Sequence, residues 1–259
     1  MCIRDRFNIY VSGIDTYGSI NKVSRSDVNI LITVNPVTKE ILLTNIPRDY
    51  YVKLHKNGEY DKLTHAGIYG IDESINTLED LFDTKINYYV KVNFTSLVDI
   101  VDALDGITVN SPYSFVSQDG YSYKKGDNIL DGKKALSFAR ERKSFKEGDR
   151  TRGENQQRVL TALINKAMSP KIITNYTNLL TSLKGKFVTN ISDEDITKLI
   201  KMQLKNNSSW TIKSISVNGT DAMDYVYSYN KTKLYVMKPD YETVNNAKEQ
   251  IKKVQDKKG

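Results

Sequence analysis

An α/β protein, built as a single domain around a central mixed β-sheet flanked by helices, is what this amino-acid sequence describes. Three observations carry the reading. Short apolar or alternating runs of strand length recur along the chain; stretches with apolar residues at three- and four-residue spacing fall between them; and no Pro/Gly/Ser linker or internal repeat divides the chain. The domain is expected over residues 7–254. Residues 1–6 are charged and unpatterned and are set apart as a non-native or truncated segment. Residues 255–259 read as a charged, disordered tail.

The elements follow in order. Residues 7–14 form a β-like run, and 28–34 a second, which Pro36-Val37-Thr38 turns into a third at 40–46, a hairpin pattern. Residues 50–54 continue the sheet. Asp72 is placed to cap a helix whose Ile75, Leu78, Leu81 and Phe82 share a face. Residues 88–92 read as a buried strand. Leu97, Ile100, Val101 and Leu104 repeat at helical spacing until Gly106 stops them. Residues 107–109 form a strand, and the Ser/Tyr/Gly-rich stretch to Asp127 a hairpin or loop. A short helix over 131–139 runs into an arginine-rich segment. Helices are expected over 154–167 and 172–183, and a capping-box pattern, Ser192 with Asp195, precedes another at 196–204. Residues 210–217 and 233–237 look like strands, and Asp240 caps a last helix reaching about Val254.

Composition narrows function. With 39% hydrophobic residues and 17 tyrosines the chain has material for a core. Its net charge of +7 favours polyanionic partners. No run approaches the roughly 18 apolar residues of a membrane helix. Cys2 is the only cysteine, which removes internal disulfides, cysteine-based zinc sites and thiol catalysis within the fold; His55 and His65 lack ligand spacing. No glycine-rich P-loop or dinucleotide fingerprint occurs.

The charge is unevenly made. Lysine supplies 29 of the 38 basic residues, while five of the nine arginines (Arg140, Arg142, Arg150, Arg152, Arg158) fall in one short segment interleaved with Asp149, Asn155, Gln156 and two glycines. A guanidinium is a planar, bidentate fork suited to phosphate oxygens, so this segment reads as a phosphate site. Arg152 and Gln156, four apart, share a helix face. Two further groups sit at strand ends. Asp15 closes one strand and Asp27, beside Arg25, opens the next, so both carboxylates fall at one sheet edge; they serve either as hard oxygen ligands for Mg²⁺ or as turn caps. In Pro47-Arg48-Asp49, Arg48 either projects to a ligand or pairs with Asp49. Lys62 adds a phosphate contact in the following loop.

These motifs, taken together, resemble the LytR–CpsA–Psr family of cell-wall glycopolymer ligases. The resemblance runs from Asn8 to about Val254 and is carried by Ser12-Gly13-Ile14-Asp15, Arg25-Ser26-Asp27-Val28, Ile46-Pro47-Arg48-Asp49, Asp61-Lys62-Leu63-Thr64-His65-Ala66, Tyr88 to Phe94, Val101 to Leu104, Ala135 to Arg142, and Gly148-Asp149 with Arg152 and Gln156. It implies an enzyme outside the cytoplasmic membrane of a Gram-positive-type bacterium, held by a single N-terminal anchor absent from this chain. It implies transfer of an anionic glycopolymer, teichoic acid or capsular polysaccharide, from an undecaprenyl-pyrophosphate-type carrier to peptidoglycan. By residue matching, Asp15 and Asp27 carry Mg²⁺, and Arg25, Arg48, Lys62, Arg140, Arg142, Arg152 and Gln156 surround the pyrophosphate. Among these Arg48, Arg142 and Arg152 are the catalytic candidates. Asp149 either orients the acceptor hydroxyl or holds a neighbouring arginine. A lipid-tail wall is expected from Val159, Leu160, Leu163 and Ile164, faced by Leu97 and Val101.

There are departures from the family pattern. Thr16-Tyr17-Gly18 follows Asp15 where an arginine is frequent, Asn155 replaces another arginine, and Asp105-Gly106 replaces a paired glycine. The variant after Asp15 and the stretch from Thr64 to Gly70 lean toward the capsule-associated branch. Three rival readings share the features: a prenyl-pyrophosphate hydrolase, a non-enzymatic wall-polymer-binding regulator, and nucleic-acid binding. The last is ranked lowest, because the arginines alternate with carboxylates and lack an aromatic stacking platform.

Overall fold

The computed structural model describes residues 6–146, 148–206 and 209–258, so the segment set apart at the start lies, but for Arg6, outside the described residues. In chain order the elements are β1 (Phe7–Ile14), β2 (Val28–Asn35), β3 (Glu40–Ile46), β4 (Tyr51–Lys53), β5 (Tyr60–Lys62), α1 (Leu63–Ala66), α2 (Ile71–Phe82), β6 (Tyr88–Asn93), α3 (Phe94–Ala103), β7 (Ile107–Ser111), β8 (Phe115–Val116), β9 (Ser122–Tyr123), β10 (Gly126–Leu130), α4 (Gly132–Arg140), α5 (Gly148–Ala167), α6 (Pro170–Ile173), α7 (Tyr176–Leu183), β11 (Val188–Thr189), α8 (Asp193–Asn206), β12 (Thr211–Ser216), β13 (Gly219–Val226), β14 (Tyr229–Pro239) and α9 (Tyr241–Asp256). They divide into two compact units.

The sheet unit holds Asn21–Lys91, the chain from Thr211 onward and the segment ending at Asp15. Its main sheet runs β6-β1-β2-β3-β12. β1 with β2 and β2 with β3 are antiparallel, whereas β12 adds to β3 in parallel, so the sheet is mixed. β2 is buried on both sides from Asn29 to Asn35, as a strand covered on two faces must be, with Asn29, Thr33 and Asn35 the polar residues among them. Tyr10, Leu31, Leu42, Ile46 and Tyr50 meet Leu78 and Phe82 of α2 and Val244, Ala247 and Ile251 of α9 in one core.

The helical unit holds Thr16–Ile20 and Val92–Trp210. Val101, Ile107, Val109, Phe138 and Val159 centre its core. Asn93 caps α3 by accepting from the Ser96 amide, and Asp131 caps α4 by accepting from that of Lys134. α4 starts hard against α3: a Cβ on Gly132 would stand 2.5 Å from the Val98 carbonyl oxygen, so only glycine fits, and Asp102 Oδ1 receives the Gly132 amide at 2.7 Å.

Several expectations shift. Residues 50–54 do not extend the main sheet: β4 pairs with β5 as a separate ribbon. Gly70, not Asp72, stands at the N-cap of α2, leaving Asp72 in the first turn, where a carboxylate suits the helix dipole. The helix expected over 172–183 is two, α6 and α7. β13 was missing from the expectation altogether. The tail expected from residue 255 begins later. α9 runs to Asp256, and Lys257 is tethered, its Nζ 2.7 Å from Glu40 and its carbonyl accepting from Asn35 and Arg6.

Candidate functional site

In the sheet unit the strand register gathers the charged motifs. Gly13 pairs with Val28 and Asn29 with Ile46, so the end of β1, the start of β2 and the end of β3 open at one sheet edge. Asp15, Arg25, Asp27, Arg48 and Asp49 all leave from it. The Asp27 amide donates to the Gly13 carbonyl at 2.8 Å. Behind the edge, Tyr10 donates to Asn29 at 2.6 Å, and Asn29 donates to the Ser26 carbonyl at 3.1 Å, fixing the Arg25–Asp27 loop from inside. Gly67 closes it from outside: a Cβ there would meet the Ser24 carbonyl at 2.8 Å.

At this edge the side chains form an alternating ionic chain. Arg48 binds Asp27 at 2.8 Å through one terminal nitrogen and Asp49 at 3.2 Å through Nε, and Lys62 reaches the other Asp49 oxygen at 2.8 Å. Of the alternatives left open for Arg48, the pairing with Asp49 is the one the structure shows. Asp15 and Arg25 are exposed beside it. Asp27 thus shares its carboxylate with a guanidinium. Asp15 and Asp27 are hard oxygen donors from one edge, and among the described residues no group of three or more His, Cys, Asp or Glu could hold a metal. A two-carboxylate donor set suits Mg²⁺ that takes its remaining ligands from substrate phosphate and water.

Sequence reading missed the support under Lys62. Asp61 is fully buried; its Oδ1 receives the Lys62 amide at 2.7 Å, and its Oδ2 the Ser228 amide at 2.8 Å. Asp61 Oδ1 and Ser228 Oγ each lie 2.7 Å from His65 Nδ1. A nucleophilic triad needs carboxylate and hydroxyl on opposite ring nitrogens. With both on Nδ1, the group is a clamp holding the β13–β14 turn to β5. Burial opposes ionisation of Asp61, but the hydrogen bonds from His65 and Ser228 outweigh it and hold the carboxyl below its ordinary range.

The helical unit presents its cations differently. Arg140 ends α4, where the helix dipole favours a cation. Its guanidinium carbon lies 4.3 Å from the centre of the Phe94 ring, and Tyr17 packs edge-on to Phe94 at 5.0 Å with its hydroxyl 3.5 Å from Arg140. Tyr17 is fixed by its neighbours: Phe94 donates its amide to the Thr16 carbonyl, and Gly18 exchanges hydrogen bonds with Thr95 and Asn93. The Thr16-Tyr17-Gly18 departure therefore supplies a ring bracket for an arginine. Glu141 is buried and receives the amides of Gln118, Arg142 and Ser144, which shapes the loop after α4. Burial opposes its charge, yet those donors hold its carboxyl below the usual value.

α5 begins at Gly148, so Arg150, Arg152 and Gln156 lie on its first turns rather than on a loop. Arg142 and Arg150 are exposed, Arg152 and Gln156 half-buried. Arg158 pairs with Glu154 at 3.3 Å and with Asn155 at 3.1 Å. The Asn155 amide nitrogen is buried without a partner, which leaves a donor available. The Asp149 side chain lies outside the described residues. Of the tail-wall candidates, Val159 and Val101 are buried in the core of this unit with Leu97 and Leu163 packed against it, so α3 and α5 do share one apolar cluster; Leu160 and Ile164 are half-buried.

The model of the LytR_cpsA_psr family matches residues 3–251. This chain belongs to that family. It is 36% identical over 193 residues to the polyisoprenyl-teichoic acid–peptidoglycan teichoic acid transferase TagU of Bacillus licheniformis, covering 74% of this chain and 62% of that relative's length. It is 35% identical to the TagU of Enterococcus faecalis over 88% of this chain and 75% of the relative. The chain thus spans less than two thirds of the first of these. Among solved structures, TagV of B. subtilis superposes with a TM-score of 0.81 at 28% identity, covering 99% of both chains. A structure described as TagT bound to LIIa-WTA matches with a TM-score of 0.78 at 30% identity, covering 98% and 92%.

Proposed function

We propose that this family member is a Mg²⁺-dependent phosphotransferase that moves an anionic glycopolymer from a polyprenyl-pyrophosphate carrier to peptidoglycan at the outer face of the cell membrane. One observation carries the reading: Arg48 and Lys62 are held by Asp27 and Asp49 at the edge from which Asp15 also leaves. Such an edge is preorganised for an anion and a cation together. The names of the relatives favour teichoic acid over the capsular alternative.

In the reaction, an acceptor hydroxyl attacks the polymer-side phosphorus. A P–O bond to the sugar forms, the anhydride P–O bond breaks, prenyl phosphate leaves with the electron pair, and the hydroxyl proton passes to solvent. Mg²⁺, when bound by Asp15 and Asp27, supplies neutralisation of phosphate charge. Arg25, Arg48 and Lys62 bind and orient phosphate oxygens at the edge of the sheet unit, work that phosphoryl transfer depends on more than on covalent chemistry from the protein; the family resemblance assigns the same task to Arg140, Arg142, Arg152 and Gln156 within the helical unit. The buried Asn155 amide adds a neutral donor. The prenyl tail, worth about 0.8 kcal/mol per buried CH₂, packs toward the apolar cluster of α3 and α5, with Leu163 as its marker.

The test is reconstitution with a prenyl-pyrophosphate-linked polymer, peptidoglycan and Mg²⁺. Covalent polymer–peptidoglycan product is expected, lost on chelation and in Asp15→Asn and Asp27→Asn, with circular dichroism unchanged. Near-wild-type turnover in both variants refutes the metal assignment; free polymer phosphate with no glycan product makes the enzyme a hydrolase.

A further inference from the structure

The β13–β14 ribbon leaves an aromatic row in solvent. Met223 pairs with Tyr235 across the ribbon, and the strand period places Asp221 on the side that Met223 occupies, with Tyr225 next along β13 where the register shifts. Met223, Tyr225 and Tyr235 are 58%, 52% and 40% exposed. On the alternate positions Val226 and Val236 are buried. One exposed tyrosine asks for no explanation, but a row of them on a ribbon whose other side is already packed marks a binding surface. Lys233 Nζ stands 5.7 Å from the Tyr225 ring centre, and Tyr235 donates to Asp221 at 2.7 Å.

Lys62 fixes where the row begins. Its ammonium is bound to Asp49 and lies 5.8 Å from the centre of the Tyr235 ring. The rings are therefore continuous with the cationic edge of the same unit.

We propose that this row is the docking strip for the acceptor, a peptidoglycan glycan strand. The proposal rests on the transferase reading above and adds the place where the acceptor lies. Sugar rings present C–H faces that stack on aromatic side chains, while their hydroxyl and amide groups find Asp221 and Lys233 at the edges. A polyanionic donor polymer asks for cations without rings; here one lysine is balanced by one aspartate, which suits a glycan of low charge density. The acceptor must also end beside the phosphate groups, and Lys62 is where strip and phosphate edge join.

The experiment titrates soluble, peptidoglycan-derived glycan oligomers into the intact chain by calorimetry. The variant Met223→Ala/Tyr225→Ala removes two exposed side chains and keeps the Tyr225 carbonyl that receives the Tyr51 hydroxyl. It should bind the oligomers roughly tenfold more weakly, with the acceptor KM raised in proportion and kcat and carrier KM unchanged. Tyr235→Phe, which keeps the ring, should bind like wild type. Unchanged oligomer affinity in the double variant overturns the proposal. So does unchanged glycan affinity with lost binding to anionic phospholipid vesicles, which would give the strip to the membrane. A wild-type chain that binds oligomers through the strip but transfers nothing strikes the transferase reading alone.

Discussion

Arg48 and Lys62 of the sheet unit and Arg140 of the helical unit are held by opposite means. In the sheet unit Arg48 and Lys62 are tied to Asp27 and Asp49, so geometry is fixed at the expense of net charge. In the helical unit Arg140 lies on the face of Phe94 beside Tyr17, a bracket that orients a guanidinium without neutralising it. Carboxylate tethers fix a cation between acidic groups and weaken its pull on a free anion; aromatic brackets keep the full pull and give looser direction. Anion attraction and precise placement are thus carried by different residues.

Substitutions at five sites sharpen or break that contrast. The largest effect is expected from Asp61→Asn, which removes the buried carboxylate beneath Lys62 and should destabilise the protein by about 3 kcal/mol in urea unfolding near neutral pH. Because the folded carboxyl is held below its ordinary value of 3.8, its contribution is present above that value and is lost as pH falls through the lower folded one. The wild-type advantage over Asp61→Asn should therefore shrink in strong acid; a constant difference would show that Asp61 acts without its charge. Next comes Arg48→Lys. It keeps the charge and loses the fork that spans two aspartates, and should cost about 1.5–3 kcal/mol in kcat/KM. Arg140→Lys should cost less, since an ammonium also sits over a ring; equal losses would erase the distinction between tether and bracket. Tyr17→Ala should raise the KM for the pyrophosphate carrier by about 0.5–1 kcal/mol equivalent, with Tyr17→Phe restoring most of it. The smallest effect is expected at Lys252→Ala, an exposed residue of α9. Inhibition there matching that at Arg48 would make bulk charge, rather than placed groups, the basis of binding.

What could be read from the sequence was whatever rests on local pattern. β1 to β3 and the caps at Ser192 and Asp240 follow from apolar runs and short polar signals, and the structure shows both caps accepting a backbone amide. The strand-end motifs around Asp15, Asp27 and Arg48 were legible because register brings neighbouring strand ends together. The start of α5 was not, since Gly148 and Gly153 resemble loop residues and the gain from continuing the helix is tertiary. β13 escaped because it holds no apolar run, Asp221, Met223 and Tyr225 facing solvent, and its register shifts after Asp224. The Asp61–His65–Ser228 clamp was invisible for a simpler reason: Ser228 is 167 residues from Asp61. Tyr17 and Arg140 meet across 123 residues of chain, so their bracket is a product of folding with no local signature.

The parallel pairing of β12 with β3, Thr211 beside Glu40 through Ser216 beside Asn45, has a temporal consequence. During synthesis β1, β2 and β3 emerge early, whereas the strand that covers β3 emerges only after all of residues 92–210. Closing so long a loop is slow, because its entropy must be met before any contact rewards it. Throughout that interval β3, with its apolar Ile41, Leu42 and Leu43, offers a bare row of backbone donors and acceptors to any passing strand. The nascent chain is at its most vulnerable to self-association at this late stage, and a chaperone that shields β3 until residue 216 has emerged would act where the need is greatest.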